Sequence, residues 1–218
     1  MVKTGKIFEV ERVEMENVLK KLKDFKIEKE IEGIKIKNEV KDLTLKEDLK
    51  GIFCQDKIIE IYQHGEVKKV VKTFEIPFIF SPYNKKIFLI IMERKRIANN
   101  IANQLSKIIF MEIGKITECN IAPNKFREFH EKNKEDTKVI FFDQVDIPNI
   151  EKLSLYGNQL ENTNLYNEYL KHGEIWYIVL KVGKMVIGIT RNCVVTLFSK
   201  EEKNFIEYIK KNIFPLIE

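Results

Sequence analysis

The fold of this chain is decided by residues 51–110, which carry the sequence GIFCQDKIIEIYQHGEVKKVVKTFEIPFIFSPYNKKIFLIIMERKRIANNIANQLSKIIF. Three apolar, β-branched stretches predict strands at Ile52–Tyr62, Val67–Phe80 and Lys86–Met92, joined in a meander by tight turns. Apolar residues then recur at helical spacing, with charged and amide side chains between them. This pattern predicts an amphipathic helix directly after the third strand.

The same order of elements is predicted a second time by residues 174–214, EIWYIVLKVGKMVIGITRNCVVTLFSKEEKNFIEYIKKNIF. Gly183-Lys184 suits a two-residue hairpin turn. Ser199, with Glu202 three residues later, forms a capping box that predicts the start of the last helix. The two copies share element order without obvious residue identity, so duplication and chance recurrence both stay open. The predicted fold class is α+β, with largely antiparallel sheets in two meander-plus-helix units.

Three segments are predicted along the chain. Residues 1–50 form an N-terminal strand and helix segment, 51–120 a first meander-helix lobe, and 121–218 a second lobe that ends in the second meander and the C-terminal helix. Residues 38–50 are charged and lack a clear period, so they are predicted to be a linker.

Composition indicates a folded globular protein, because 44% of the 218 residues are hydrophobic and 33% are charged. Abundant lysine and glutamate suit a thermophilic source, although an AT-rich genome also enriches lysine. The charges that interrupt each short apolar stretch near the N-terminus are unlike a signal peptide, and no apolar run approaches the length of a membrane span. We therefore expect a cytoplasmic protein without a membrane partner.

Motifs for common cofactor-dependent and hydrolytic chemistry are absent from the sequence. It contains no glycine-rich phosphate loop, no GxSxG and no HExxH. Cys54, Cys119 and Cys193 are too far apart in sequence for a recognisable zinc or disulfide framework, and we expect Cys54 and Cys193 to pack in the core. No cofactor or metal is expected, and the sequence favours a non-catalytic protein.

Asp143, Asp146 and Glu151 are the weak catalytic candidates. Asp143 ends an apolar strand, which is where metal-dependent nucleases and phosphotransferases place a carboxylate ligand. Asp146 precedes Pro148 in a loop-forming stretch, so both aspartates also suit turns. A metal-dependent nuclease or hydrolase is therefore kept as an alternative function.

A basic patch is the candidate for ligand binding. Residues 51–100 carry nine basic and five acidic side chains, which accounts for most of the net charge of +5. The residues predicted to contact phosphates are Lys68, Lys72, Lys86, Arg94, Lys95 and Arg96. Strand aromatics beside lysines can form a stacking platform with an electrostatic groove. The sequence thus predicts a binding or accessory protein that contacts nucleic acid.

Trp176 begins the strand stretch IWYIVL, which is apolar at every position. Alternation predicts that Trp176, Ile178 and Leu180 share one face and that Ile175, Tyr177 and Val179 share the other. A strand that is apolar on both faces is either buried on both faces or lies at an interface. A homodimer through this sheet, or a protein-interaction scaffold, is the third hypothesis.

Overall fold

The computed structural model describes residues 2–200 and 204–217 and has the predicted α+β fold, with largely antiparallel strands. Within those residues the strands are β1 (Lys3–Val10), β2 (Lys26–Ile31), β3 (Ile34–Leu45), β4 (Leu49–Gln63), β5 (Glu66–Tyr83), β6 (Lys86–Ile91), β7 (Ile116–Glu118), β8 (Thr137–Asp143), β9 (Leu153–Tyr156), β10 (Glu174–Val182), β11 (Met185–Thr190) and β12 (Val194–Leu197). The helices are α1 (Met15–Lys23), α2 (Lys95–Phe110), α3 (Pro123–Lys132), α4 (Asn164–His172), α5 (Phe205–Tyr208) and α6 (Phe214–Ile217), with a π-helical turn at Ile209–Ile213. None of the helices in this described part of the chain is long and apolar enough to cross a membrane.

Contacts group the chain into two compact units. The first unit is Phe8–Thr117, and the second combines residues 2–7 with the described residues from Glu118 onward. Residues 8–50 therefore pack in the same unit as the first meander. The predicted division of the chain into segments 1–50, 51–120 and 121–218 stays a prediction.

In the first unit the strands follow the order β2-β3-β4-β5-β6, and each neighbouring pair is antiparallel. The predicted meander and its helix are confirmed as β4, β5, β6 and α2. Helix α2 buries its apolar stripe, including Ile101, Leu105 and Ile109, in one core cluster with Phe53 and Phe78. That cluster fixes which face of β4 and β5 points toward the helices.

The linker predicted at 38–50 is wrong, because most of this segment extends strand β3 to Leu45. A β-bulge between Lys41 and Thr44 interrupts the pairing with β4, and Asp42 has a left-handed φ of 52°. A bulge shifts side chains by one position, so the period-two alternation that identifies a strand is lost across it. The sequence pattern therefore looked irregular although the chain is extended.

In the second unit the order β12-β11-β10-β8-β9 is again antiparallel. The second predicted meander is confirmed as β10, β11 and β12, and the last helix begins at Phe205. Glu202 of the predicted capping box lies outside the described residues. The sequence of strand β9, LSLY, has no β-branched side chain, so it gives a weak strand signal.

His130 is a buried ionisable group of the second unit. It lies on α3 with 1% of its surface exposed, and its Nδ1 is 3.2 Å from the hydroxyl of Tyr166. That hydroxyl donates to the Glu131 carboxylate at 2.8 Å. Burial lowers the pKa of His130 from 6.5 to about 4, although the charges of Glu131 and Glu161 oppose the shift. The imidazole is therefore neutral in the folded protein at neutral pH.

This burial predicts a pH-dependent loss of stability. Between pH 6.5 and 4 the unfolded chain binds a proton at His130 and the folded chain does not, so stability falls as the pH falls through this window. The total loss is up to about 3 kcal/mol, from 1.36 kcal/mol per pKa unit. Urea unfolding of wild type and His130→Gln at pH 7 and pH 4.5 measures it. We expect a smaller decline in the variant; parallel declines would contradict the assignment.

Candidate nucleic-acid interface

The hairpin of β4 and β5 extends beyond the helices of the first unit. Its strands are 15 and 18 residues long. Phe53 and Ile76 face each other in the ladder and are buried in the core, whereas side chains from Lys57 around the turn to Thr73 are exposed or half-buried. This outer half of the hairpin is open on both faces.

Strand register places three lysines on one face of the open hairpin. Lys57 pairs with Lys72, and Lys68 pairs with Ile61 at the position four pairs nearer the turn, an even number that keeps the side chains on the same face. The ammonium groups of Lys57 and Lys72 lie 5.5 Å and 5.1 Å from the ring centroid of Phe74, which confirms the shared face. We call Lys57, Lys68 and Lys72 the basic face.

The opposite face of the hairpin holds the carboxylates. There Asp56 accepts hydrogen bonds from the Thr73 hydroxyl at 2.6 Å and from the Lys37 amide at 2.9 Å. Lys69 is paired with Glu32 at 2.5 Å, which raises the pKa of Lys69 and lowers that of Glu32. The positive charge of Lys69 is therefore matched by a neighbour.

The basic face lacks such compensation. In the outer half of the two strands, the carboxylate on the basic face is that of Glu66, which lies at the turn, opposite Gln63. No carboxylate in the described part of the chain lies within ion-pair distance of Lys57, Lys68 or Lys72. A cluster of uncompensated lysines creates a local positive potential that attracts anionic ligands.

The predicted residues Arg94, Lys95 and Arg96 lie at the start of α2, and the chain just before them contacts the buried half of the hairpin. The amide of Met92 donates to the carbonyl of Pro77 at 2.9 Å, which anchors the entry to the helix. Pro77 is five residues beyond Lys72, or about 17 Å along β5. All three basic side chains are exposed, and the first turn of α2 has no acidic residue.

Lys86 is separated from the other predicted residues. It pairs with Tyr83 at the far end of β5, about 36 Å from Lys72 along the strand. Its ammonium group lies 3.3 Å from the Glu9 carboxylate. The structure thus places Lys68 and Lys72 on one face of the hairpin together with Lys57, which sequence inspection missed, and it places Arg94, Lys95 and Arg96 at the start of α2.

The candidate catalytic carboxylates have other partners. Both oxygens of Asp143 are 3.0 Å from Nη2 of Arg191, whose Nη1 donates to Glu174. Asp146 Oδ1 is 2.7 Å from His172 Nδ1, and Glu151 is exposed between β8 and β9. The described residues contain no group of three His, Cys, Asp or Glu side chains placed to hold a metal ion.

The predicted facing of the Trp176 strand is wrong for Ile175 and Trp176, whereas residues 177–180 alternate as predicted. Pairing of β10 with β8 shifts between Ile175 and Tyr177, so Trp176 occupies a bulge. Ile175 and Ile178 consequently share the buried face, while the rings of Trp176 and Tyr177 lie together, with centroids 5.8 Å apart. The homodimer predicted through this sheet stays a prediction.

Comparison with known proteins adds no family assignment. No protein-family model matches the chain, and no curated protein matches it.

In the ion-pair network of Arg191 with Asp143 and Glu174, we expect loss of the arginine to lower stability more than loss of one carboxylate charge. Arg191→Met leaves Asp143 and Glu174 close together without a cation, and we expect it to cost about 2–3 kcal/mol, since the group is only partly exposed. Asp143→Asn keeps the contact of Arg191 with Glu174 and is expected to cost less. Urea unfolding at pH 7 compares the two variants. Equal costs would contradict a structural role for the network.

Proposed function

We propose that this protein binds nucleic acid, with Lys57, Lys68, Lys72 and the Arg94–Arg96 segment contacting phosphates. The observation that carries the proposal is the basic face, where lysines stand together without a matching carboxylate. Phosphate contacts by lysine and arginine supply the sequence-independent part of nucleic-acid affinity. The protein acts in this view as a binding or accessory protein without catalysis of its own.

The spacing of the cations suits a polyanion better than a small anion. Lys68 and Lys72 are about 13 Å apart along β5, and the start of α2 is about 17 Å further. The row is therefore about 30 Å long, which corresponds to about nine phosphates at 3.4 Å per nucleotide of a duplex strand. A single phosphate would occupy only one position in this row.

The aliphatic side chains of the basic face also fit this proposal. Ile59 and Val70 form a cross-strand pair between the Lys57–Lys72 pair and Lys68. Half-buried apolar groups between the lysines give sugars and bases a surface to contact, while the lysines reach phosphates. This mixture favours sequence-independent binding, because contacts to phosphates and sugars carry no sequence information directly.

Three further expectations remain proposals. The three cysteines are buried and are not joined in disulfides, which suits the reducing cytoplasm. The protein-interaction scaffold draws on the apolar sheet around Trp176, whereas the metal-dependent nuclease would require Asp143 to exchange Arg191 for a metal ion.

Binding is tested by anisotropy of a labelled 20-nucleotide strand, single and duplex, over a series of salt concentrations. For wild type we expect an affinity that falls steeply with salt. Lys68→Glu with Lys72→Glu should weaken binding at least tenfold at low salt. Loss of two phosphate contacts should also make the log–log salt slope shallower by about 1.4 for single strands.

The matched control is Lys46→Glu with Lys50→Glu. It makes the same change in net charge within the first unit, but both lysines are exposed away from the basic face, since Lys50 pairs with Ile79 next to the helix-facing Gly51–Phe78 pair. Thermal melting checks that all proteins are folded. An absence of wild-type binding, or equal losses in both double variants, would overturn the proposal.

A further inference from the structure

The second unit presents an open sheet face that is rich in aromatic side chains. Five aromatic residues belong to it, and we call them the aromatic face: Phe141, Tyr156, Trp176, Tyr177 and Phe198. The ring centroid of Phe141 is 5.4–5.9 Å from those of Tyr156, Trp176 and Tyr177. Tyr156 is 66% exposed and Phe198 is 46% exposed. This cluster is not core, because the core side chains Ile140, Ile178 and Ile187 point to the other face.

Two backbone features assemble the aromatic face. The bulge at Trp176 directs two consecutive rings of β10 to the same cluster. Gly188 on β11 provides room for the rings of Tyr177 on β10 and of Phe198, which follows β12, because a Cβ there would collide with the Tyr177 hydroxyl and lie 3.0 Å from the Phe198 ring. The rings are therefore held in place across several strands, which limits the entropy that they lose when a ligand binds.

The charges of this face are basic. Lys152 lies with its ammonium group 5.3 Å from the Trp176 ring centroid. Lys181 is exposed, two residues beyond Val179 on the same side of β10, and it has no carboxylate partner among the described residues. Asp143 and Glu174 face each other at the end of the β8–β10 pairing, and both form ion pairs with Arg191. Aromatic surface with uncompensated lysines matches a ligand that has flat rings and negative charge.

We propose that the aromatic face stacks unpaired bases of single-stranded nucleic acid, with Lys152 and Lys181 near the phosphates. This inference rests on the proposed function for the class of ligand, but it uses a different set of residues. Bases stack on protein rings only where they are not stacked in a duplex, so the site selects single strands. Every base has a flat face, and we therefore expect little sequence preference.

A second copy of the chain fits the aromatic face less well. In a symmetric dimer the same patch meets itself. Lys152 and Lys181 would then approach their own copies, and the nearby carboxylates of Asp143 and Glu174 are already paired with Arg191. Charge complementarity thus favours nucleic acid over a second copy of the chain as the ligand of the aromatic face.

Trp176 is the only tryptophan of the chain, so its intrinsic fluorescence reports on the aromatic face. The probes are an oligo(dT) of 12 nucleotides, a duplex of the same length and inorganic polyphosphate. We expect saturable quenching by the single strand at 0.3 M salt, and little quenching by the other two. Equal quenching by polyphosphate would overturn the inference, since that anion has no bases.

Tyr156→Ala should weaken single-strand binding roughly tenfold, a value within the range for losing one stacked base. The matched control is Tyr62→Ala, which removes a tyrosine that is 77% exposed on the hairpin of the first unit. We expect the control to bind like wild type. Equal binding by all three proteins would overturn the inference. Light scattering that shows a dimer in wild type and a monomer in Tyr156→Ala would also overturn it, in favour of self-association.

Failure of this inference can be distinguished from failure of the proposed function. If Lys68→Glu with Lys72→Glu abolishes binding while Tyr156→Ala has no effect, the basic face binds nucleic acid and the aromatic face does not. If Tyr156→Ala weakens binding and the lysine variant does not, the aromatic face is the site and the proposed role of the basic face is wrong.

Discussion

The register between β4 and β5 is the constraint on which the candidate interface depends. His64 and Gly65 form the turn with φ values of 53° and 84°, and two consecutive positive φ values characterise the tight turn that matches the twist of a hairpin. This turn sets Gln63 opposite Glu66 and, seven residues along, Asp56 opposite Thr73. A slip by one residue would transfer every side chain of one strand to the other face. The separation of lysines from carboxylates exists only in this register.

The helices of the first unit limit the basic face at one end. Phe53 and Ile76 lie on the same side of the sheet as the lysines, but they are covered by the core cluster. The entry to helix α2 is anchored at Pro77, next to the buried Ile76, and Arg94, Lys95 and Arg96 lie at this helix start. Basic side chains oppose the helix dipole at an N-terminus and cost some stability there. An anionic ligand would offset that cost.

Much of the fold could be predicted from the sequence, because the meanders and the helices have regular periods. The exceptions are local. Asp42 and Trp176 lie at bulges, and each bulge reverses the alternation on which a prediction of facing depends. For the interface, Lys68 and Lys72 could be found because they share a strand. The position of Lys57 beside Lys72 depends on the register across the turn, which the sequence pattern does not show. The ion pair of Arg191 with Asp143 joins residues 48 positions apart, so it has no sequence signal either.

Strand β2 has a consequence for how the open hairpin behaves in a concentrated solution. It is the last strand of the order β2-β3-β4-β5-β6, and all six of its residues are exposed. An exposed edge of this kind can recruit strands from other molecules. Here Lys26, Glu28, Lys29 and Glu30 occupy four of the six positions, and charges of both signs on an edge disfavour such recruitment. The long uncovered hairpin can thus offer a ligand surface without promoting the growth of intermolecular sheets.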